Sequence, residues 1–162
     1  LLVHDAIDTR MKHLPERAMR AGVDIFETVM PHDLRGLEGQ CDLVVVDVPC
    51  SGTGRWRRAP ETKWRLTAEG LSDLHELQAQ ILRQAALLLR PEGRLAYITC
   101  SLLSSENDRQ IDDFLEENQA FEPMVTGGPT GLQARHMLHP CNGDTDGLYI
   151  AVLQRRAAGD GA

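Results

Sequence analysis

Aromatic side chains are scarce. Phe, Trp and Tyr make up 4% of the 162 residues, so aliphatic side chains and Ala must fill the core. No apolar run approaches the ~20 residues a membrane-spanning helix needs. Residues 43–46 and 85–89 are among the longest, and no signal peptide is visible, so a cytoplasmic protein with no membrane partner is expected. None of the four cysteines, Cys41, Cys50, Cys100 and Cys141, forms a Cys-x-x-Cys pair. The six histidines show no metal-ligand spacing either, so no metal is expected. An excess of positive charge is also missing. Lys and Arg total 17 against 24 Asp and Glu, a net charge of -7, which argues against a stand-alone RNA-binding module but leaves room for a local basic patch.

What is present suffices for one compact domain: 42% of the residues are hydrophobic. Residues 1–4 read as a strand, residues 8–21 as a helix stopped by Gly22, and residues 25–30 as a second strand. Asp-Leu-Val-Val-Val-Asp at 42–47 is a continuous apolar run of the kind buried on both sheet faces. Residues 48–67 are irregular. A long helix over 68–90 follows, with Leu71, Leu74, Leu77, Ile81, Leu82, Ala85 and Leu88 on its inward face, and Pro91-Glu92-Gly93 ends it. Residues 94–99 form another strand. Ser104 or Ser105 then caps a helix to about Glu117, with Ile111, Phe114 and Leu115 inward. Strands over 121–125, 135–138 and 148–154 complete the chain, and residues 157–162 are expected to be a mobile tail. Alternating strands and helices predict an α/β fold with a doubly wound, mostly parallel sheet.

Such sheets bind ligands beyond the carboxyl ends of their strands. Four predicted strand ends carry reactive or polar groups: Asp5, Asp33, the turn Asp47-Val48-Pro49-Cys50-Ser51-Gly52, and Thr99-Cys100-Ser101. Any one of these is readable as a cap or turn residue. If the strands ending at Asp47 and Thr99 are neighbours, about 4.8 Å apart, both thiols open onto one cleft. Buried small hydrophobes, a disulfide and half a metal site are the alternatives for the two cysteines. The polar company of Asp47, Ser51, Thr99 and Ser101 favours a chemical role. The loop at 55–65 holds five basic residues and both tryptophans. Cations there can neutralise phosphate and indoles can stack on bases, unless the tryptophans simply cover the helix that follows. The acidic run Glu106, Asp108, Asp112, Asp113, Glu116 and Glu117 reads as a solvated helix face.

Asp47-Val48-Pro49-Cys50-Ser51-Gly52 together with Thr99-Cys100-Ser101 resembles the paired signature of the RsmB/Sun/NSUN family of RNA 5-methylcytosine methyltransferases. Residues 54–64, the Arg90-Pro91-Glu92-Gly93 turn, Leu138-His139-Pro140 and Thr145-Asp146-Gly147 extend the likeness over nearly the whole chain. The bacterial small-subunit ribosomal RNA branch fits best. The resemblance implies a Rossmann-like class I methyltransferase domain over residues 1–156, S-adenosylmethionine as cofactor and RNA as substrate. It aligns Cys100 with the nucleophile, Cys50 with the cysteine that releases product, and Asp47 with the acid contacting cytosine. It places Asp5 at the cofactor ribose and Asp33 near the adenine, with Asp47 and Pro49 completing the cofactor site. Arg57, Arg58 and Lys63 are expected on the RNA backbone. No Gly-rich turn stands upstream of Asp5, so the chain is expected to begin after the family's first strand and, alone, to bind cofactor weakly. A DNA cytosine methyltransferase is the rival, but its later motif carries no cysteine. A scaffold that only binds RNA is the other.

Overall fold

The computed structural model describes residues 1–157 except 24, 25 and 129. Ile25 of the expected second strand and the tail beyond Ala157 lie outside the described residues. The chain divides into two compact units, Leu1–Glu38 and Gly39–Ala162.

In the first unit, β1 (Leu2–Val3) pairs in parallel with β2 (Glu27–Thr28). Between them, the single helix expected over 8–21 is two: α1 (Asp8–Met11) and α2 (Leu14–Arg20). Pro15 sits in the first turn of α2, where its fixed φ suits a helix start and its missing N–H costs nothing. Gly22 follows the helix with φ 69°, the left-handed geometry expected of a helix terminator.

The second unit is built on a βαβ crossover. β3 (Cys41–Asp47) lies parallel to β4 (Leu89–Thr99), and α3 (Ala68–Leu88) connects them. Thr67 caps α3, its Oγ1 accepting from the Gly70 N–H at 3.0 Å. α4 (Asp108–Glu117) follows β4 and leads to β5 (Phe121–Pro123). A small hairpin, β6 (Thr126–Gly128) and β7 (Gly131–Gln133), precedes β8 (Arg135–Leu138), the short α5 (Pro140–Gly143) and β9 (Leu148–Arg155). β9 pairs antiparallel with β4, β5 and β8, so the sheet is mixed, its parallel pairing confined to β3 and β4.

The core lies between this sheet and α3 and α4. Leu82 and Ala85 meet Leu95 and Tyr97 of β4, Ile111 and Phe114 of α4, and Ala151 and Leu153 of β9. Four of the seven aromatics lie here as edge-on pairs, Tyr97 with Tyr149 at 6.4 Å and Phe114 with Phe121 at 5.3 Å.

Several expectations change. On α3, Leu77 is exposed and Gln78 is fully buried, because a buried carboxyl group described below engages the Gln78 amide. α3 stops at Leu88, before the expected end at 90, and Pro91-Glu92-Gly93 lies within β4 as a bulge rather than at the helix end. Cys41 pairs with Leu89 and Leu43 with Arg94, and Glu92 takes φ 63°. β3 is not buried on both faces: Val44 and Val46 pack on the core while Leu43 and Val45 are each 56% exposed. α4 begins at Asp108, later than a cap at Ser104 or Ser105 allows, because residues 104–107 form turns that carry Glu106 and Asn107 inward.

Candidate active site

The parallel pairing of β3 with β4 sets Asp47 opposite Ile98, so the two strands end side by side. The chain beyond each end turns at once: Gly52 takes φ 68° after Cys50, and Gly54 donates its N–H to the Cys100 carbonyl at 3.0 Å. The two turns are thereby stitched together, and Cys50 Sγ comes to 3.3 Å from Cys100 Sγ. Both thiols are half-buried and free. The disulfide alternative is therefore not the state present.

The two sulfurs differ electrostatically. The Cys100 thiol is lowered to about 6, first because Cys50 donates a hydrogen bond to it, against an opposing desolvation, and then because of the Arg55 guanidinium. Asp47 works in the opposite sense on Cys100. The Cys50 thiol is pushed up, by that same donated hydrogen bond and by burial. The pair thus gives up its first proton from Cys100, and Cys50 keeps its own. Arg55 stood in the sequence only as one of five loop cations. Its role as the charge beside Cys100 was hidden because the short 3-10 turn at Thr53–Arg55 folds it back toward the thiol.

Behind the sulfurs lies a hydroxyl network. Ser101 Oγ is 3.1 Å from Thr53 Oγ1 and 3.3 Å from Ser51 Oγ, and Thr53 Oγ1 accepts from the Leu102 N–H at 2.8 Å. Thr99, whose hydroxyl donates to Asn107 Oδ1 at 2.6 Å, is fully buried. Glu106, expected on a solvated helix face, has no solvent exposure. Pro49 is exposed, and its carbonyl accepts from Gln78 Nε2 at 2.8 Å.

Asp5 and Asp33 belong to the first unit. Asp5 Oδ1 accepts from the Ile7 N–H at 2.8 Å, a local turn bond, and Arg10 is 3.8 Å away. The Asp33 side chain is 60% exposed, with His32 at 3.4 Å. In the basic loop, Arg57 and Arg58 both pair with Asp146, Arg57 at 3.1 Å. Partial desolvation works against ionisation of Asp146, but the two guanidiniums outweigh it and hold its carboxyl below the usual value. The Lys63 ammonium lies 5.5 Å from the Trp56 ring centre and 5.8 Å from that of Trp64. Trp64 is 84% exposed, so it does not cover the following helix. Among the described residues no group of three or more metal-ligating side chains is present.

Residues 1–154 match the family model described as 16S rRNA methyltransferase RsmB/F. The ribosomal RNA small subunit methyltransferase B of Yersinia enterocolitica is 32% identical over 160 residues, covering 96% of this chain and 37% of that protein. The chain therefore spans little more than a third of that relative's length. The solved structure of PH0851 superimposes with a TM-score of 0.83 at 29% identity, covering 95% of this chain and 36% of its own. NSun6 from Pyrococcus horikoshii, solved with SFG, has the same fold at a TM-score of 0.78 and 22% identity, covering 97% of this chain and 41% of its own.

Proposed function

The chain belongs to the 16S rRNA methyltransferase RsmB/F family, and on that premise we propose that it carries the catalytic centre of a cytosine-C5 methyltransferase acting on small-subunit ribosomal RNA through a covalent adduct at Cys100. The observation that supports this most directly is the 3.3 Å approach of two inequivalent thiols at the ends of adjacent parallel strands. Cytosine C5 is a poor nucleophile. A thiolate adding to C6 turns the ring into an enamine whose C5 is electron-rich. Cys100, its thiol lowered by the hydrogen bond from Cys50 and by the Arg55 guanidinium, is the sulfur suited to supply that thiolate. The Asp47 carboxyl, exposed at the end of β3, is placed by this reading at the cytosine N3 edge, where a proton shared between the carboxyl and N3 would neutralise the negative charge that the addition develops. After transfer, a base must remove the C5 proton so that the Cys100 sulfur leaves and the aromatic ring returns. Cys50 assists that release.

S-adenosylmethionine fits the donor set available. Asp5 and Asp33, with side chains 28% and 60% exposed, and Asp47 offer carboxylates of the kind that accept from ribose hydroxyls and adenine amino groups. In the second unit, Asp47 and Pro49 are the residues that would hold it, and when bound it supplies the methyl group as an electrophile. The test is incubation of the protein carrying this chain with isotopically labelled S-adenosylmethionine and unmethylated small-subunit ribosomal RNA. Nucleoside mass spectrometry should find label only in 5-methylcytidine. Label in another nucleoside, or none with a folded protein, refutes the reading.

The exposed face of the basic loop is the proposed RNA contact. Arg57 and Arg58, with side chains 59% and 68% exposed, keep solvent-facing surface while paired to Asp146, and Trp64 presents an open ring. Replacing Arg57, Arg58 and Lys63 together by Ala should weaken RNA binding and flatten its dependence on salt by up to about two to three released counterions. Trp64→Ala should cost about 1–3 kcal/mol of RNA affinity with the salt slope unchanged, the signature of lost stacking. Fluorescence titrations at several salt concentrations separate the two. An unchanged slope in the triple variant counts against the assignment.

A further inference from the structure

Glu106 is fully buried, and the reaction proposed above uses no atom of it. Four donors converge on its two oxygens. Oε1 accepts from the Ser51 N–H at 2.7 Å and from Gln78 Nε2 at 3.0 Å. Oε2 accepts from the hydroxyls of Ser51 and Ser101, both at 2.5 Å. Ser51 follows Cys50 and Ser101 follows Cys100, so one carboxyl group grips the residue after each thiol. Gln78 extends the grip to α3 and also donates to the Pro49 carbonyl, one residue before Cys50, at 2.8 Å. Glu106 is itself held, its carbonyl accepting from the Tyr97 hydroxyl at 2.7 Å. The next residue repeats the pattern on the Cys100 side: Asn107 accepts from the Thr99 hydroxyl and donates to the Ser101 carbonyl at 2.9 Å.

A buried carboxyl group is costly unless every lone pair finds a donor. Here the donors are neutral, two hydroxyls, a backbone amide and a carboxamide, and they come from three separate segments. An acceptor-only group with two oxygens and several lone-pair sites can collect all of them at one point, which a single hydroxyl or amide cannot. We propose that Glu106 is a positioning residue: it fixes the Cys50 turn against the Cys100 turn and so sets the contact between the two thiols. It acts through Ser51 and Ser101. The role deepens the covalent mechanism proposed above and rests on it for its catalytic meaning, but its physical content is the geometry of the thiol pair, which is measurable without RNA or cofactor.

The test uses the 162-residue chain with Cys41→Ala and Cys141→Ser, so that only the pair titrates. The groups facing Cys100 are Cys50, Arg55 and Asp47, and all remain. If Glu106 positions the turns, Glu106→Ala lets them separate and Cys100 loses the hydrogen bond from Cys50. Its ionisation midpoint, read from the pH dependence of alkylation, should then rise from about 6 toward the ordinary thiol value of about 8.5. Glu106→Gln keeps an acceptor for the Ser51 N–H and Gln78 but not for the two hydroxyls, so its midpoint should rise by less. If Glu106 acted only as a negative charge, both variants would instead lower the midpoint, because removing an anion eases ionisation of the next. The second measurement is affinity for a neutral trivalent arsenical that bridges two thiols, which should fall at least about tenfold as the effective concentration of the second thiol is lost. Should Glu106→Ala not fold, Glu106→Gln decides alone. A midpoint that stays or falls in the folded variant, or arsenical affinity unchanged, overturns the proposal. Failure of methyl transfer to cytosine, with these thiol results intact, would overturn only the reading of the reaction.

Discussion

On the proposed mechanism, Cys100→Ser should reduce methyl transfer to cytosine at least about a thousandfold, the scale on which removal of a covalent nucleophile is felt, and should leave no protein–RNA adduct on a denaturing gel. Cys50→Ala should do the opposite to the adduct: it accumulates, because Cys100 still adds at C6 but release is slow. The inequivalence of the two sulfurs gives this division its physical basis. When Cys100 is ionised, Cys50 is the donor in the bond between the two sulfurs, and that bond both lowers Cys100 and raises Cys50. Once the Cys100 sulfur is bonded to carbon it is a neutral thioether and a weak acceptor. The hydrogen bond that held the Cys50 proton is then lost, leaving burial as the main cause of its raised pKa. Cys50 therefore becomes easier to ionise at the stage where a base is wanted for the C5 proton. The same argument fixes a pH dependence. With Cys50→Ala, the largest cause lowering Cys100 is gone, so its midpoint rises above about 6, and adduct should form more slowly at pH 6 than at pH 8. An adduct formed by the Cys100→Ser protein, and none by Cys50→Ala, would reverse the roles.

The two thiol turns were legible in the sequence because each follows a strand with a strong signal. The Val-rich run of β3 and the helix-then-strand pattern of α3 and β4 imply a βαβ crossover, and parallel neighbours in a crossover end at the same edge. What hid the rest was the reading of polar residues by periodicity alone. Glu106 lies in an acidic stretch whose other members sit on a helix, and nothing local distinguishes it. Its burial follows from two serines at positions 51 and 101 that only the fold brings together. Gln78 was unreadable for the same reason, since its burial depends on Glu106 and on the Pro49 carbonyl. Leu77 was misplaced in consequence, because the inward stripe of α3 is rotated to include a polar residue. The expectation that β3 is covered on both faces came from composition, which cannot tell a strand with two packed faces from one whose Leu43 and Val45 meet solvent. Asp5, read as a cofactor ligand by resemblance, also makes the turn bond that local chemistry anticipates for an Asp before a helix.

Gly54→Ala and Gly147→Ala should each destabilise the second unit by about 1–3 kcal/mol through overpacking, with a further ~1 kcal/mol if a hydrogen bond is lost. A Cβ on Gly54 would lie 2.6 Å from both Cα and the carbonyl oxygen of Gly147, and one on Gly147 would lie 2.5 Å from the Gly54 Cα and 2.7 Å from a Leu102 methyl. Backbone cannot swing aside as a side-chain tip can, so the two segments must part. Parting strains two bonds in series: Gly147 N–H to the Gly54 carbonyl at 2.9 Å, and Gly54 N–H to the Cys100 carbonyl at 3.0 Å. The second is the stitch between the thiol turns, so loss of stability and displacement of Cys100 should come together. Gly52 serves as the contrast. Its φ is 68° but a Cβ there meets no atom within 4 Å, so Gly52→Ala should cost only the ~1–2 kcal/mol of a left-handed backbone. The double variant Gly54→Ala/Gly147→Ala tests whether the close approach is one interaction. Once the segments have separated to admit one methyl group, the second meets less resistance, so the double should lose clearly less than the sum of the singles. Urea unfolding followed by fluorescence reads all four variants. Singles within about 0.5 kcal/mol of the parent, the range of an ordinary surface substitution, would show that the glycine contact does not hold the turns together.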